Sequence, residues 1–375
     1  MESRHRGYEE ILPRIASEYK AVSSSLLKAA GRVIWLCMAF KAGWYTAELR
    51  RELRERARVW SAGRAHVESY GGSPVIVFSP EEQAAGAERH GNFFDEAYAA
   101  IQRRPEWRRR FEKIHAQGRA LPKAESGRRW KELDSSMSSD ALLMNVFCTA
   151  GVSSLRETLG IDSHGSSAPF SEPVFGWRAR VPLTSGRFDR TEVDMRWGSL
   201  LVEAKLTESD FQTRAASVVE AYRDFDAVFD RDLLSRVELR ATRRRTAVEF
   251  AEEFTQEWEP ISEDPKAALD FQQAIVARAR EAEPAEASYA GYQLIRNVLA
   301  AYREGCSFSV LHDARRPDLR EAWFQVMAAV KSAEMRTRCK VMTWQELAGL
   351  LPEDLQAFLD LKYGIVSAGR TPSFP

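Results

Sequence analysis

The stretch RTEVDMRWGSLLVEAKLTE, Arg190 to Glu208, constrains this chain more than any other. Gly198-Ser199 is a two-residue turn signal between two β-prone runs, and a loop of that length fixes the register of the hairpin around it. Trp197 then lies opposite Leu200, Arg196 opposite Leu201, Met195 opposite Val202, Asp194 opposite Glu203 and Glu192 opposite Lys205. Side chains alternate between the two faces of a strand. Val193, Met195, Trp197, Leu200, Val202 and Ala204 therefore share one wholly apolar face, and Glu192, Asp194, Glu203 and Lys205 share the other.

Directly opposed residues have Cβ atoms about 4.5–5.5 Å apart, so Asp194 and Glu203 repel unless a positive charge lies between them. A divalent cation would relieve that repulsion. Mg²⁺ takes hard oxygen ligands and is typically bound by one or two carboxylates with water and phosphate completing its shell. The plainer reading is a half-exposed antiparallel pair with a Glu192–Lys205 cross-strand ion pair, and the pattern alone favours it.

The rest of the chain supplies a frame for the hairpin. With 44% hydrophobic and 29% charged residues, it has material for a core and lacks the composition of a disordered protein. Lys+Arg and Asp+Glu balance at 54 each, so net charge selects no partner and local charge must do so. Cys37, Cys148, Cys306 and Cys339 lie far apart, as expected of buried thiols in a cytoplasmic protein rather than a zinc knuckle or a disulfide framework. The most apolar run, Val33 to Phe40, is too short to span a bilayer, and no membrane association is expected. Phosphate-binding P-loop, Rossmann, zinc-protease and nucleophile-elbow motifs are all missing, and the six histidines show no ligand spacing.

Periodicity predicts an amphipathic helical arm over 1–70 and a basic helical and loop region over 71–132. A core follows over 133–366, with a helical insertion near 232–287, and 367–375 form a tail. Within the core the expected order is a helix over Ser139–Cys148 and β-like runs at Val174–Val181, Thr191–Arg196 and Leu200–Leu206. Long helices come next over Asp210–Arg231 and Ala267–Glu283, then a helix over Ser288–Arg303 and a strand at Cys306–Leu311. A helix over Leu319–Met335, a strand at Cys339–Met342 and short helices complete the chain. Strands alternating with helices after the hairpin imply an α/β sheet with crossover helices.

Asp194, eight intervening residues, then Glu203-Ala204-Lys205 resembles the D…(D/E)-x-K signature of the PD-(D/E)XK, or restriction-endonuclease-like, nucleases. Carboxylate-x-Lys occurs four times in the chain, but only here on a predicted strand with an aspartate opposite. The segments SSDALLMNVFC, TEVDMRWGSLLVEAKLTESDF, GYQLIRN and VMTWQELAGLLP…FLDLKYGI resemble a bacterial group of restriction endonucleases of this type, across about Phe93 to Ile365. Val193 stands where the signature has proline.

The resemblance implies an α/β fold with a restriction-endonuclease-like core, a mixed central sheet flanked by helices, and an N-terminal helical region. It implies that Asp194 and Glu203 bind Mg²⁺ or Mn²⁺ and that Lys205 orients or helps deprotonate the attacking water and offsets transition-state charge. Glu192 is either a further carboxylate near the metal or only the partner of Lys205. Asp140 and Asn145 are polar candidates from the preceding helix, with a helix cap and a satisfied buried amide as their plain alternatives. Gln293, Arg296 and Asn297 share one helical face and are candidates to support the site or contact phosphate, or else a polar patch that stabilises the fold.

The implied activity is metal-dependent endonucleolytic hydrolysis of phosphodiester bonds, with DNA favoured over RNA and room for a homodimer. A catalytically inactive nucleic-acid-binding or structural protein of the same fold is the alternative. Nucleic-acid affinity rests on phosphate contacts. The strongest local source of charge is Arg103–Lys131, with eleven Lys/Arg against three Glu, where Arg108, Arg109 and Lys113 would partly share a helix face while Trp107 and Phe111 anchor it. A solvated helix face explains the same run, and RATRRR, Arg240 to Arg245, is the next candidate.

Overall fold

A computed structural model describes residues 43–70, 74–79, 89–115, 129–152, 171–238 and 287–373, with the single positions 121, 127, 155 and 159. The N-terminal part of the helical arm, RATRRR and the helix over Ala267–Glu283 lie outside the described residues. Residues 43–60 form helix α1, in which Leu49, Leu53 and Ala57 recur at helical spacing and are buried. Strands β1 (Val67–Glu68) and β2 (Ile76–Val77) pair antiparallel, and helices α2 (Asp95–Gln102), α3 (Pro105–Arg108) and α4 (Ser139–Phe147) follow.

The chain then runs through β3 (Val174–Arg178), β4 (Val181–Pro182), β5 (Phe188–Asp189), β6 (Glu192–Trp197), β7 (Leu200–Ala204) and β8 (Thr213–Ala215). Two short helices, α5 (Ala216–Val219) and α6 (Phe225–Val228), lead to β9 (Arg236–Glu238), β10 (Ala287–Ala290), α7 (Tyr292–Glu304) and β11 (Ser307–His312). Helices α8 (Pro317–Ala328) and α9 (Ala333–Arg338), strand β12 (Cys339–Thr343) and helices α10 (Trp344–Ala348) and α11 (Glu353–Tyr363) close the described chain.

The central sheet has the order β12-β11-β7-β6-β3. β11 and β12 run parallel with β7, and β6, antiparallel to both of its neighbours β7 and β3, is the one reversed strand of this sheet. Alternation along β7 and β11 sends Leu201, Phe308 and Val310 to a core built with α7 and α8, and sends Leu200, Val202, Ala204 and Leu311 to a core built with α1, α4, α10 and α11. A third cluster packs α2, α3 and α4 together through Phe93, Tyr98, Trp107, Phe111 and Met144.

Several expected elements are corrected. The helix over Asp210–Arg231 is instead β8 and two single-turn helices, because Gln212 takes φ of 61° and its carbonyl accepts from Gly291 and Tyr292. The helix expected from Ser288 begins at Tyr292. Residues 287–290 are drawn into a three-stranded sheet of order β8-β10-β9, and Gly291, at φ of 77°, turns the chain into the helix. The span Leu319–Met335 is two helices, separated where Val330 bridges Phe229 and Lys331 N donates to Val228 O.

Candidate functional site

The turn at Gly198-Ser199 sets the expected register, with Trp197 opposite Leu200, Arg196 opposite Leu201 and Met195 opposite Val202. The ladder ends there, and the two strands serve different neighbours beyond it. Asp194 Oδ2 accepts from the backbone N–H of Ala204 at 2.8 Å, so a carboxylate takes the place of a ladder partner. The apolar face divides at the same point, Val193 packing with the α7 core while Met195 and Trp197 pack with the α4 core. The adjoining β3–β6 ladder skips the pair Gly176–Asp194, where Gly176 takes φ of 64°.

Glu203 and Lys205 project from β7 and the residue after it toward α7. Both are buried, and the Lys205 ammonium donates to Glu203 Oε1 at 2.7 Å. Asn297 Nδ2 donates to the other oxygen, Oε2, at 2.7 Å, so the carboxylate is gripped at both ends. Arg296 in turn donates to Asn297 Oδ1 and to the Glu192 backbone carbonyl, which orients the asparagine and ties α7 to β6. Gln293 on the same helix leaves its buried Oε1 without a hydrogen-bond partner among the described residues.

Glu192 does not face Lys205, which corrects the cross-strand ion pair. Its carboxylate accepts from Arg110 Nη1 at 2.8 Å and lies 3.7 Å from Lys113 Nζ and 3.8 Å from Arg178 Nε. Sequence reading missed Arg110. It also donates from Nη2 to Asp140 at 2.7 Å, and Lys113 reaches the same Asp140 oxygen at 3.3 Å. The signal was available, since Arg110 follows Trp107 by three positions and so shares the inward face that Trp107 and Phe111 define.

The helix expected to carry Arg108, Arg109 and Lys113 together ends at Arg108 and continues as a 3-10 turn over Arg109–Glu112. Arg108 and Arg109 are exposed, while Lys113 lies beyond the turn and is drawn inward. Asp140 is not the cap of α4. Ser138 Oγ accepts from Ala141 N, and Asp140 follows in the first turn, where the helix dipole also favours its charge. Asn145 is remote from this chemistry, its amide shared among Phe94 N, Asn92 O and Ala141 O.

The electrostatics sort these groups into two sets. Burial would raise the Asp140 carboxyl, but Lys113 and Arg110 hold it below the usual carboxylate range. Glu192 is lowered in the same way, burial being outweighed by Arg110 and Lys113. Burial pushes Asp194 up to about 8, with Glu203 and Asp140 adding to the rise. Burial would lower the Lys205 ammonium, yet Glu203, Glu208 and Asp194 hold it above its ordinary value. Asp194 therefore takes up a proton near neutrality, and Lys205 keeps its charge.

Positive charge beside Asp194 would offset the burial and the neighbouring Glu203 and Asp140 charges that push its carboxyl up. Asp194 with Glu203 offers hard oxygen donors that suit Mg²⁺ or Mn²⁺, and no group of three or more His, Cys, Asp and Glu that could hold a metal occurs among the described residues. Arg316 braces the segment after Lys205. It is fully buried and donates to the carbonyls of Glu208 and Ser209 and to the Asp318 carboxylate. Among the described residues no helix is long and apolar enough to cross a membrane.

A sequence model of the family described as restriction endonuclease associating with ARP matches residues 51–364. No curated protein and no solved structure matches the chain.

Proposed function

The chain belongs to the family of restriction endonucleases associating with ARP, and on that premise we propose that it is a metal-dependent nuclease hydrolysing phosphodiester bonds in DNA. The observation that carries the reading is the meeting of Asp194 and Glu203 at the open end of the β6–β7 hairpin, beside the Lys205 ammonium. A five-stranded mixed sheet flanked by helices, the restriction-endonuclease-like fold, holds them there.

Asp194 and Glu203 would hold Mg²⁺ or Mn²⁺, which when bound polarises a phosphoryl oxygen and acidifies water. Asn297 keeps Glu203 from rotating. As a charged group, Lys205 orients the attacking water and offsets charge that develops on the phosphoryl oxygens, an electrostatic role that a preorganised, water-poor site strengthens. Arg108 and Arg109, both exposed, would hold the polyanion.

The test is incubation with plasmid, linear and single-stranded DNA in Mg²⁺, Mn²⁺ or EDTA. Cleavage of DNA in either metal and none in EDTA is expected. DNA binding without cleavage in any metal would favour the catalytically inactive reading.

Metal binding should depend on pH in a specified direction. Folding raises Asp194 from its ordinary 3.8 to about 8, so across that window the metal-free folded chain holds a proton that the unfolded chain has lost. That contribution to stability is complete below the ordinary value and fades as pH rises toward about 8. A cation must displace the same proton, so apparent affinity should tighten by up to about tenfold per pH unit below that point and level off above it. The Mn²⁺-induced rise in Tm at pH 8.5 should exceed that at pH 6.5, and Glu203→Gln should reduce it at both. An identical rise in wild type and Glu203→Gln would place the metal elsewhere.

Reversing Arg108 and Arg109 to Glu in a Lys205→Ala background should weaken DNA binding about tenfold at low salt and reduce its salt slope, with Tm nearly unchanged. Unchanged affinity would assign these arginines to solvated surface.

A further inference from the structure

Two pairs of carboxylates at the site are unlike. Among the described residues the close ion pair at Asp194 and Glu203 is that of Lys205 with Glu203, Arg110 and Lys113 acting on Asp194 from farther away. Asp140 and Glu192 already share two cations, Arg110 and Lys113, the lysine ammonium lying 3.3 Å from Asp140 and 3.7 Å from Glu192. Arg110 is buried, and its two terminal nitrogens reach carboxylates on different elements, Nη2 to Asp140 on α4 and Nη1 to Glu192 on β6. A guanidinium is always charged and its planar fork suits such bridging, so the cationic side of the link does not titrate.

The seat of this guanidinium is built. Gly176 on β3 faces it with φ of 64°, and a Cβ there would lie 2.2 Å from Arg110 Nη1 and 3.3 Å from Glu192 Oε2. The backbone around Arg110 is pinned by Trp107, whose indole N–H donates to Pro173 O at 2.7 Å, and by Phe111 in the core. A metal approaching Asp140 and Glu192 would meet the charges of Arg110 and Lys113 already seated on the same two carboxylates, and like charges at that range repel strongly in a buried site.

We infer that the site takes a single divalent cation, at Asp194 and Glu203, and that Arg110, with Lys113 beside it, is a built-in positive charge standing in for a second metal at Asp140 and Glu192. The inference rests on the metal-dependent reading above and fixes its stoichiometry. Arg110 acts here as a positioning residue: by neutralising the second pair it leaves one vacancy for charge in place of two.

The test counts Mn²⁺ ions on the full chain by titration calorimetry and by loss of the free-ion paramagnetic resonance signal, without DNA. Wild type should bind one per chain, and Arg110→Lys, which keeps a charge, should also bind one. The double variant Arg110→Met with Lys113→Met should bind a second ion, and that second ion should disappear when Asp140→Asn and Glu192→Gln are added. In wild type the cleavage rate should rise with Mn²⁺ with a Hill coefficient of about 1. Two ions on wild type, or a Hill coefficient approaching 2, overturns the inference without touching metal dependence, and this count needs no variant to fold. One ion on the folded double variant Arg110→Met with Lys113→Met overturns the stand-in role. Absence of any bound ion on wild type, or undiminished binding by Glu203→Gln, strikes the metal reading itself.

Discussion

Lys205→Ala and Asp194→Ala should each lower the DNA cleavage rate by about a thousandfold or more, the scale expected when a preorganised charge or the site of the catalytic ion is lost. The double variant should be scarcely slower than either single one, because residues that act as a unit are strongly non-additive. Circular dichroism and Tm must show both chains folded. Asn297 still holds Glu203 when Lys205 is removed, which favours retention of the fold. A folded variant that cleaves at the wild-type rate would remove its residue from the assignment.

The largest effect on stability should come from Arg316→Ala. This side chain is wholly buried, pairs with Asp318 at 2.7 Å and satisfies the carbonyls of Glu208 and Ser209. Removing it leaves a buried carboxylate and two carbonyls without their donor, for which about 3–5 kcal/mol is expected. Urea unfolding should show the loss as a lower midpoint, and Arg316→Lys should recover only part of it because an ammonium cannot reproduce the fork. A loss under about 1 kcal/mol would mean that the segment after Lys205 is held by other contacts.

The hairpin was legible because its information is local. A two-residue turn sets the register, alternation sorts the faces, and both survive as far as Met195 and Val202. The same rule failed at Glu192 and Lys205, where side chains compete with the ladder and the Asp194 carboxylate takes a backbone donor. Arg110 was hidden for another reason. Its partners lie 30 and 82 residues away, so only the fold brings them together, although the spacing to Trp107 already turned it inward. The mistaken helix over Asp210–Arg231 shows the limit of periodicity. Phe211, Val219, Tyr222, Phe225 and Phe229 do face one core, but they reach it from a strand turn and two short helices. The basic block was legible as charge and not as direction: Arg108 and Arg109 point outward while Arg110 and Lys113 neutralise carboxylates.

The central position of β7 also bears on how the protein acquires its site in time. Its pairing with β6 closes a loop of two residues, whereas its pairing with β11 joins Leu200 to Ser307 across about a hundred residues. The first contact is kinetically cheap and the second is slow, because a long loop must be closed before the contact rewards it. Asp194 and Glu203 can thus be neighbours while Asn297, Arg296 and the α7 face of the sheet are still distant. Closure entropy grows only with the logarithm of loop length, so halving or doubling that intervening span shifts the balance by about 0.6 kcal/mol. The hairpin across β6 and β7, closed by two residues, has no length to lose.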